Sequence, residues 1–92
     1  MEMIEIDRFE NEGRVHVLDE PISFELSFVD GLWVFHNETL NLWGYGATRN
    51  EAIVDLNSGF DDLRREIVEE SDQSLDPTAI EIKKIILNHL KR

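Results

Sequence analysis

Apolar and polar residues alternate along the first half of the chain, and this pattern predicts β-strands joined by short turns. The clearest alternation is in residues 22–28, just after Pro21, where an apolar side chain occupies every second position. Asp30-Gly31 follows, and this dipeptide is typical of a two-residue hairpin turn. Residues 32–35 are all apolar, which predicts a strand covered on both faces. The predicted strands form an antiparallel meander and cover residues 3–9, 14–18, 22–28, 32–35 and 40–43.

Apolar residues recur at spacings of three and four in the second half, which predicts an amphipathic helix over residues 49–71. The apolar stripe of this helix consists of Ala52, Ile53, Leu56, Phe60, Leu63 and Ile67. Gly59 lies on or beside the stripe, and we expect it to allow close contact between the helix and the sheet. After a polar break at 71–74, Asp76 as N-cap and Pro77 at the first helical position predict a second helix.

The segment Gly44–Ala52 connects the last predicted strand to the first predicted helix. Thr48 and Glu51 have the spacing of a capping box, in which the side chain of each residue bonds the backbone amide of the other. Gly44 and Gly46 are expected to let the chain turn sharply out of the strand. The spacing of these glycines fits neither glycine motif that binds phosphate, and no lysine is nearby. The segment therefore indicates a structural junction.

The composition indicates one small domain, and the predicted strands followed by helices place it in the α+β class. The chain has 92 residues, 41% hydrophobic and 32% charged, and it has no cysteine. Because the N-terminus lacks signal-peptide features and no apolar run approaches the roughly 20 residues of a membrane helix, we expect a soluble, cytoplasmic protein. The expected fold is an antiparallel sheet of three to five strands with the long helix on one face, over residues 1–72. Residues 73–92 form a C-terminal helix that either completes this unit or serves a partner or a second copy.

The net charge of −11 is large for this length and is unevenly distributed. Residues 1–48 carry ten acids and two bases, residues 49–72 carry eight acids and three bases, and residues 73–92 carry two acids and four bases. An acidic body repels phosphate, so direct nucleic-acid binding is not expected, whereas a basic protein would be attracted. The alternative is that the acidity only keeps a small protein soluble.

No residue pattern predicts catalysis, a metal site or a cofactor site. The histidines His16, His36 and His89 are far apart in the sequence and form no metal-binding motif. The adjacent carboxylates Asp61 and Asp62 are expected on a solvated helix surface, where their pKa values would stay ordinary. The sequence therefore predicts a protein that is not an enzyme.

Three groups of residues are candidates for binding a protein partner. Two adjacent predicted strands carry aromatic residues, which form either a binding patch or part of the core. The long helix presents an acidic surface, and the C-terminal helix has more apolar residues than one narrow stripe needs. That surplus serves either the core of the same chain or a second copy or partner. The candidates are Trp33, Phe35, Trp43 and Tyr45 in the strands, Asp62 and Glu66 in the long helix, and Ile82, Ile86 and Leu90 in the C-terminal helix.

Residues 30–63 resemble the HicB-like antitoxins. The resemblance rests on the Asp30-Gly31 hairpin, the apolar strand that follows it, and the pattern Gly-x-Thr-x-x-Glu-Ala, which is residues 46–52 here. It implies a β-β-β-α core related to a truncated ribonuclease H-like fold without catalytic carboxylates. It also implies non-catalytic binding to a small toxin RNase, and oligomerisation. The chain departs from the family pattern in lacking a recognisable DNA-binding domain after Ser74 and the Pro-Gly pair that usually follows the central strand.

Two functional hypotheses follow from these observations. The first is a non-enzymatic protein-binding module, an antitoxin-like partner of a small basic RNase, in which acidic residues attract the partner and apolar residues supply much of the affinity. The second is a structural homo-oligomer assembled through the C-terminal helix. An enzyme ranks third.

Overall fold

The fold is a four-stranded antiparallel sheet with two helices, which confirms the predicted α+β class. The structure is a computed structural model that describes residues 2–90. The strands lie in the order β1-β2-β3-β4, so that each pairs with its neighbour in sequence. The elements are β1 (Glu2–Asn11), β2 (Arg14–Val29), β3 (Leu32–Asn37), β4 (Leu42–Gly46), α1 (Arg49–Leu63), a π-helical turn (Arg64–Val68), a short 3₁₀ turn (Asp72–Ser74) and α2 (Pro77–His89).

Two-residue turns connect β1 to β2 and β2 to β3. In both turns, Glu12-Gly13 and Asp30-Gly31, the two central residues have positive φ angles between 50° and 82°. This is the turn type whose twist matches that of antiparallel strands, and glycine adopts its second position without strain. The predicted Asp-Gly hairpin is therefore confirmed.

β2 is a single strand of 16 residues, although the sequence predicted an interruption at Pro21. The pairing between β1 and β2 shifts at this point, since Ile6 pairs with Ile22 whereas Arg8 pairs with Val17. Proline cannot donate a ladder hydrogen bond, and a bulge is the place where a strand tolerates it. The part of the β1–β2 hairpin beyond the bulge, residues 8–17, is called the distal hairpin below.

The two glycines of β4 serve close packing rather than a turn, which corrects the expectation for Gly44 and Gly46. A Cβ atom built on Gly44 would lie 2.6 Å from Cβ of Leu56 and 2.7 Å from the carbonyl oxygen of Ala52. Both glycines lie within the strand and neither has a positive φ angle. Their missing side chains let α1 lie directly against the backbone of β4.

Helix α1 begins with the predicted N-cap. The Thr48 hydroxyl accepts a hydrogen bond from the Glu51 amide at 3.1 Å. The Glu51 carboxylate accepts one from the amide of Ala47 at 3.0 Å, one residue earlier than in a standard capping box. The Asp55 carboxylate accepts another from the amide of Tyr45 at 2.8 Å. Side chains of α1 thus bond backbone amides along the outer edge of β4.

One core joins the sheet, the distal hairpin and both helices. Phe60 of α1 stacks on Phe9 of β1 with ring centroids 3.9 Å apart, and Phe24 meets Phe9 edge-on. Ile82 and Ile86 of α2 belong to the same buried cluster. The chain after α2 returns to β2, where Leu90 forms an antiparallel bridge with Leu18. The second helix is therefore part of the same compact unit.

Candidate partner-binding surface

The two faces of the sheet differ in what covers them. Strand registers place Leu26, Phe35 and Gly44 in one cross-strand row, and this row faces α1. Residues of the other parity point away from α1, and several of them are large apolar side chains with 41–56% of their surface exposed. We call this second surface the open face, and define it by Met3, Glu5, Ser23, Glu25, Ser27, Val29, Leu32, Val34, His36, Trp43 and Tyr45.

An aromatic row lies across the part of the open face formed by β3 and β4. The His36 ring stacks on the Trp43 ring with centroids 3.5 Å apart. The Tyr45 ring is parallel to that of Trp43 within 5°, at a centroid distance of 6.0 Å. Trp43 is 41% exposed and Tyr45 is 47% exposed. We call these three residues the aromatic row; His36 covers one face of the Trp43 ring, and the row as a whole forms a partly exposed aromatic surface.

The predicted aromatic patch is therefore divided between the two faces of the sheet. Trp43 and Tyr45 lie together on the open face, as a binding surface requires. Phe35 lies on the covered face and is buried in the core. Trp33 lies on the covered face as well, partly buried, with the guanidinium carbon of Arg49 at 4.7 Å from its ring centroid. The strand 32–35 was predicted to be covered on both faces, and this holds only in part, because on the open face Val34 is buried whereas Leu32 is exposed.

The three candidates from the C-terminal helix pack mainly against other residues of the same chain. Ile82 and Ile86 are buried in the common core, and Ile86 has no exposed surface. Leu90 is partly buried and packs against the core. Leu87 is the exposed large apolar residue of α2. The apolar surplus of this helix thus serves folding in cis.

The acidic candidates Asp62 and Glu66 are exposed near the end of α1. Together with Arg65 and Glu70 they line a shallow, open depression. The Arg65 guanidinium donates to the Asp62 carboxylate at 2.7 Å, so a cation of the chain already neutralises part of this patch. Glu66 and Glu70 have no such pairing among the described residues.

Each Lys and Arg side chain within residues 2–90 lies next to a carboxylate of the same chain. The closest nitrogen–oxygen distances range from 2.5 to 3.7 Å. Eight of the 20 acidic residues take part in these pairs, which leaves 12 with no Lys or Arg within 4.0 Å in the described part of the chain. The described surface therefore has an excess of carboxylates and no uncompensated cation. Lys91 and Arg92 lie outside the described residues.

Asp61 is buried, which corrects the expectation that it lies on a solvated helix surface. It is 2% exposed and accepts hydrogen bonds from Arg14 at 2.5 Å and from Asn11 at 3.0 Å. The His16 Nε2 atom lies 3.4 Å from the same carboxylate. These bonds, led by that from Arg14, hold the pKa of Asp61 well below its usual range, so the carboxylate stays ionised.

Helical periodicity gave no signal for this burial. Asp61 is rotated by about 100° from Phe60 around the axis of α1, so it points away from the middle of the apolar stripe. It is buried because the distal hairpin folds over α1 and brings Arg14 and His16 to it. The arrangement ties the hairpin to the helix. Asp61 is absent from the lining of three surface depressions in residues 2–90, which lie between α1 and β4, between β2 and α2, and at the end of α1. An ionised carboxylate that accepts several hydrogen bonds is also a poor proton donor.

The described residues include no cluster of three or more histidine, aspartate or glutamate side chains arranged to hold a metal ion. In residues 2–90, none of the helices combines the length and the apolar character that crossing a membrane would require. Comparison with protein-family models, with curated proteins and with solved structures yields no match to this chain.

Proposed function

We propose that this protein is a non-enzymatic binding module for a basic protein, and that its partner is a small basic RNase toward which it acts as an antitoxin. The observation that carries the proposal is the charge distribution. Each Lys and Arg within residues 2–90 is paired within the chain, while 12 carboxylates have no Lys or Arg partner among those residues. Such a surface attracts a basic protein and repels the phosphates of nucleic acids.

The open face supports a protein partner in particular. Exposed aromatic and aliphatic side chains next to unpaired carboxylates provide the apolar centre and the charged periphery typical of a protein interface. The choice of an RNase as the partner rests on the resemblance of residues 30–63 to the HicB-like antitoxins. We propose this family relationship on the strength of the Asp30-Gly31 hairpin and the Gly46–Ala52 motif.

The structure offers no specific support for a homo-oligomer assembled through the C-terminal helix. Ile82 and Ile86, the residues that suggested it, are buried against the same chain. Truncation before α2 would expose this core, so it cannot test the idea cleanly. The full-length Leu87→Lys variant, which changes an exposed position of α2, should leave the sedimentation coefficient unchanged.

The test uses the protein encoded by the neighbouring reading frame, provided that it is a small basic RNase. We expect tight binding in calorimetry, inhibition of RNA cleavage at stoichiometric ratios, and a Kd that rises between 50 and 300 mM NaCl. Binding without inhibition would retain the binding module and reject the antitoxin role. Absence of binding at 50 mM NaCl, or the absence of a basic protein gene next to this one, would contradict the proposal.

A further inference from the structure

We propose that the open face binds an arginine-bearing segment of the basic partner, with a guanidinium group stacked on Trp43 and Tyr45 of the aromatic row. This inference rests on the proposed function, because it specifies where and through which chemical group the basic protein docks. The argument has three parts, which concern the rings, the charges around them and the alternative occupants.

The rings of Trp43 and Tyr45 have the geometry to receive a planar cation. They are parallel within 5°, about half exposed, and held in place on one side by the stacked His36 ring. Guanidinium groups stack on aromatic faces and are attracted by their electron density. The chain itself shows this contact on the other face of the sheet, where Arg49 lies over Trp33 at 4.7 Å. Over Trp43 and Tyr45 no cation of the described chain takes this position.

Charges on the open face favour a cation as well. Glu25 pairs with His36 in the strand register, and His36 pairs with Trp43, so the three residues form one row across the sheet. Two strand spacings separate Glu25 from Trp43, about 10 Å, which is close to the Debye length at 0.1 M salt. Glu5 lies on β1 opposite Ser23, two positions along β2 from this row. None of the residues that define the open face is a lysine or an arginine, and Arg8, on the neighbouring distal hairpin, lies 3.1 Å from the Glu10 carboxylate.

The same charges disfavour a second copy of the chain as the occupant. Two open faces in contact would bring Glu5 and Glu25 of both copies together, with no cation from either face to compensate them, and like charges cost free energy in an interface. A stacked nucleic-acid base would use the same rings, but the basic residues that hold the phosphates are missing from the described face. A basic peptide segment is the occupant that can both stack on the aromatic rings and pair with the carboxylates.

The test titrates the full chain with an acetylated, amidated octa-arginine peptide and follows the amide and indole signals by NMR at 50 mM NaCl. We expect the Trp43 indole signal to shift first and the Trp33 indole signal to shift little. Octa-lysine should bind more weakly and shift Trp43 less, because its ammonium groups do not stack. Largest shifts at Glu66 and Glu70, or equal responses to the two peptides, would overturn the proposal.

Two sets of variants sharpen the test. The double variant Trp43→Leu/Tyr45→Leu keeps an apolar surface but removes the rings, and we expect octa-arginine to bind about fivefold more weakly or worse. The single variants Trp43→Phe and Tyr45→Phe retain aromatic rings and should recover most of the affinity. The matched control Asp62→Asn/Glu66→Gln removes one charge from the end of α1 and one from the π-helical turn, and it should change the affinity less than twofold. Unchanged binding by the double leucine variant would overturn the proposal.

Two further measurements address the other occupants, and a third separates this inference from the proposed function. Equal binding of octa-arginine and an oligo-uridine would overturn the basic-segment assignment, as would a dimer in sedimentation that the double leucine variant dissociates. If the wild-type chain binds the neighbouring RNase and the double leucine variant binds it equally well, this inference fails and the proposed function stands. If the wild-type chain does not bind that RNase, the proposed function fails, while the octa-arginine shifts still report on the open face.

Discussion

The two faces of the same sheet show how one set of strands serves stability on one side and recognition on the other. On the covered face, β4 has glycine at positions 44 and 46, and α1 lies against its backbone. On the open face, the same strand presents Trp43 and Tyr45 with nearly half of their surface exposed. Alternation along a strand is thus sufficient to place a packing contact and a candidate binding contact next to each other in sequence.

The difference has an energetic consequence. The apolar residues through which α1 and the covered face meet, such as Leu26, Phe35, Leu56 and Phe60, are buried in the common core, so substitutions there act on folding. The exposed large apolar residues of the open face, including Trp43 and Tyr45, have 41–56% of their surface exposed, so their substitution should act on binding and leave the fold intact. The predictions below test this separation, from the largest expected effect to the smallest.

Removal of the Phe60 ring should cause the largest loss of stability. Phe60 has no exposed surface and stacks on Phe9. We expect Phe60→Ala to lower the free energy of unfolding by about 3–5 kcal/mol, measured by urea denaturation. The variant Phe60→Leu retains most of the volume and should lose less. A loss below 1 kcal/mol in Phe60→Ala would mean that the helix does not depend on this contact.

Adding a methyl group at Gly44 should lower the stability of the protein by pushing α1 away from β4. Because its Cβ would lie 2.6 Å from Cβ of Leu56, we expect Gly44→Ala to cost about 1–3 kcal/mol. Gly59→Ala is the matched control, since its Cβ would lie 3.2 Å from Cδ1 of Leu42, a looser contact than that at Gly44, and the change gains helix propensity. It should lose less stability than Gly44→Ala. Equal losses in both variants would contradict the close-packing role of Gly44.

The link between Asp61 and the distal hairpin should make stability depend on pH at the acidic end. The hydrogen bonds from Arg14 and Asn11 lower the pKa of Asp61, whereas an aspartate in the unfolded chain titrates near pH 3.9. A lowered pKa in the folded state stabilises the protein above that pH, and this contribution is lost as the pH falls below it.

We therefore expect Asp61→Asn to be less stable than the wild type at pH 7, and the difference between them to narrow on going from pH 5 to pH 2. Urea denaturation at a series of pH values measures this difference in the free energy of unfolding. Asp62→Asn is the control, because Asp62 is exposed, and it should stay within about 0.5 kcal/mol of the wild type at pH 7. A constant difference between Asp61→Asn and the wild type across this range would show that the carboxylate is not held ionised by its partners.

Substitution of the aromatic row should have the smallest effect on stability. We expect Trp43→Leu/Tyr45→Leu to change the free energy of unfolding by less than about 1 kcal/mol, because both side chains are largely exposed. Loss of octa-arginine binding together with retained stability would place recognition on the open face. A loss comparable to that of Phe60→Ala would show instead that the row is part of the folding core.

Patterns within short stretches of sequence predicted most of the fold. The Asp30-Gly31 turn, the Thr48 N-cap and the α2 start at Asp76-Pro77 were all read correctly, because each depends on contacts between residues close in sequence. The apolar stripe of α1 likewise identified Ala52, Leu56 and Phe60 as core residues. The main errors within elements were the sharp turn assigned to the β4 glycines and the interruption assigned to Pro21.

The candidate surface could be predicted only in part. Trp43 and Tyr45 were candidates for either a binding patch or the core, and the sequence could not separate them from Phe35, since which side chains of a strand face the helix depends on the side of the sheet that α1 covers. For the same reason, the sequence could not decide whether Ile82 and Ile86 pack in the core or contact a partner. The local sequence pattern shows that a residue is apolar, but it does not show which part of the protein packs against that residue.

The sequence by itself determined the location of most strand segments, the Asp30-Gly31 turn, the helix starts and the acidic charge, because these follow from backbone preferences and composition. Only the tertiary structure decided that the distal hairpin folds over α1, that Asp61 is buried with Arg14, and that the open face carries an aromatic row beside unpaired carboxylates. These features join residues up to about 50 positions apart in the chain. These features arise from packing between different helices and strands, and the spacing of residues within one helix or strand does not predict such packing.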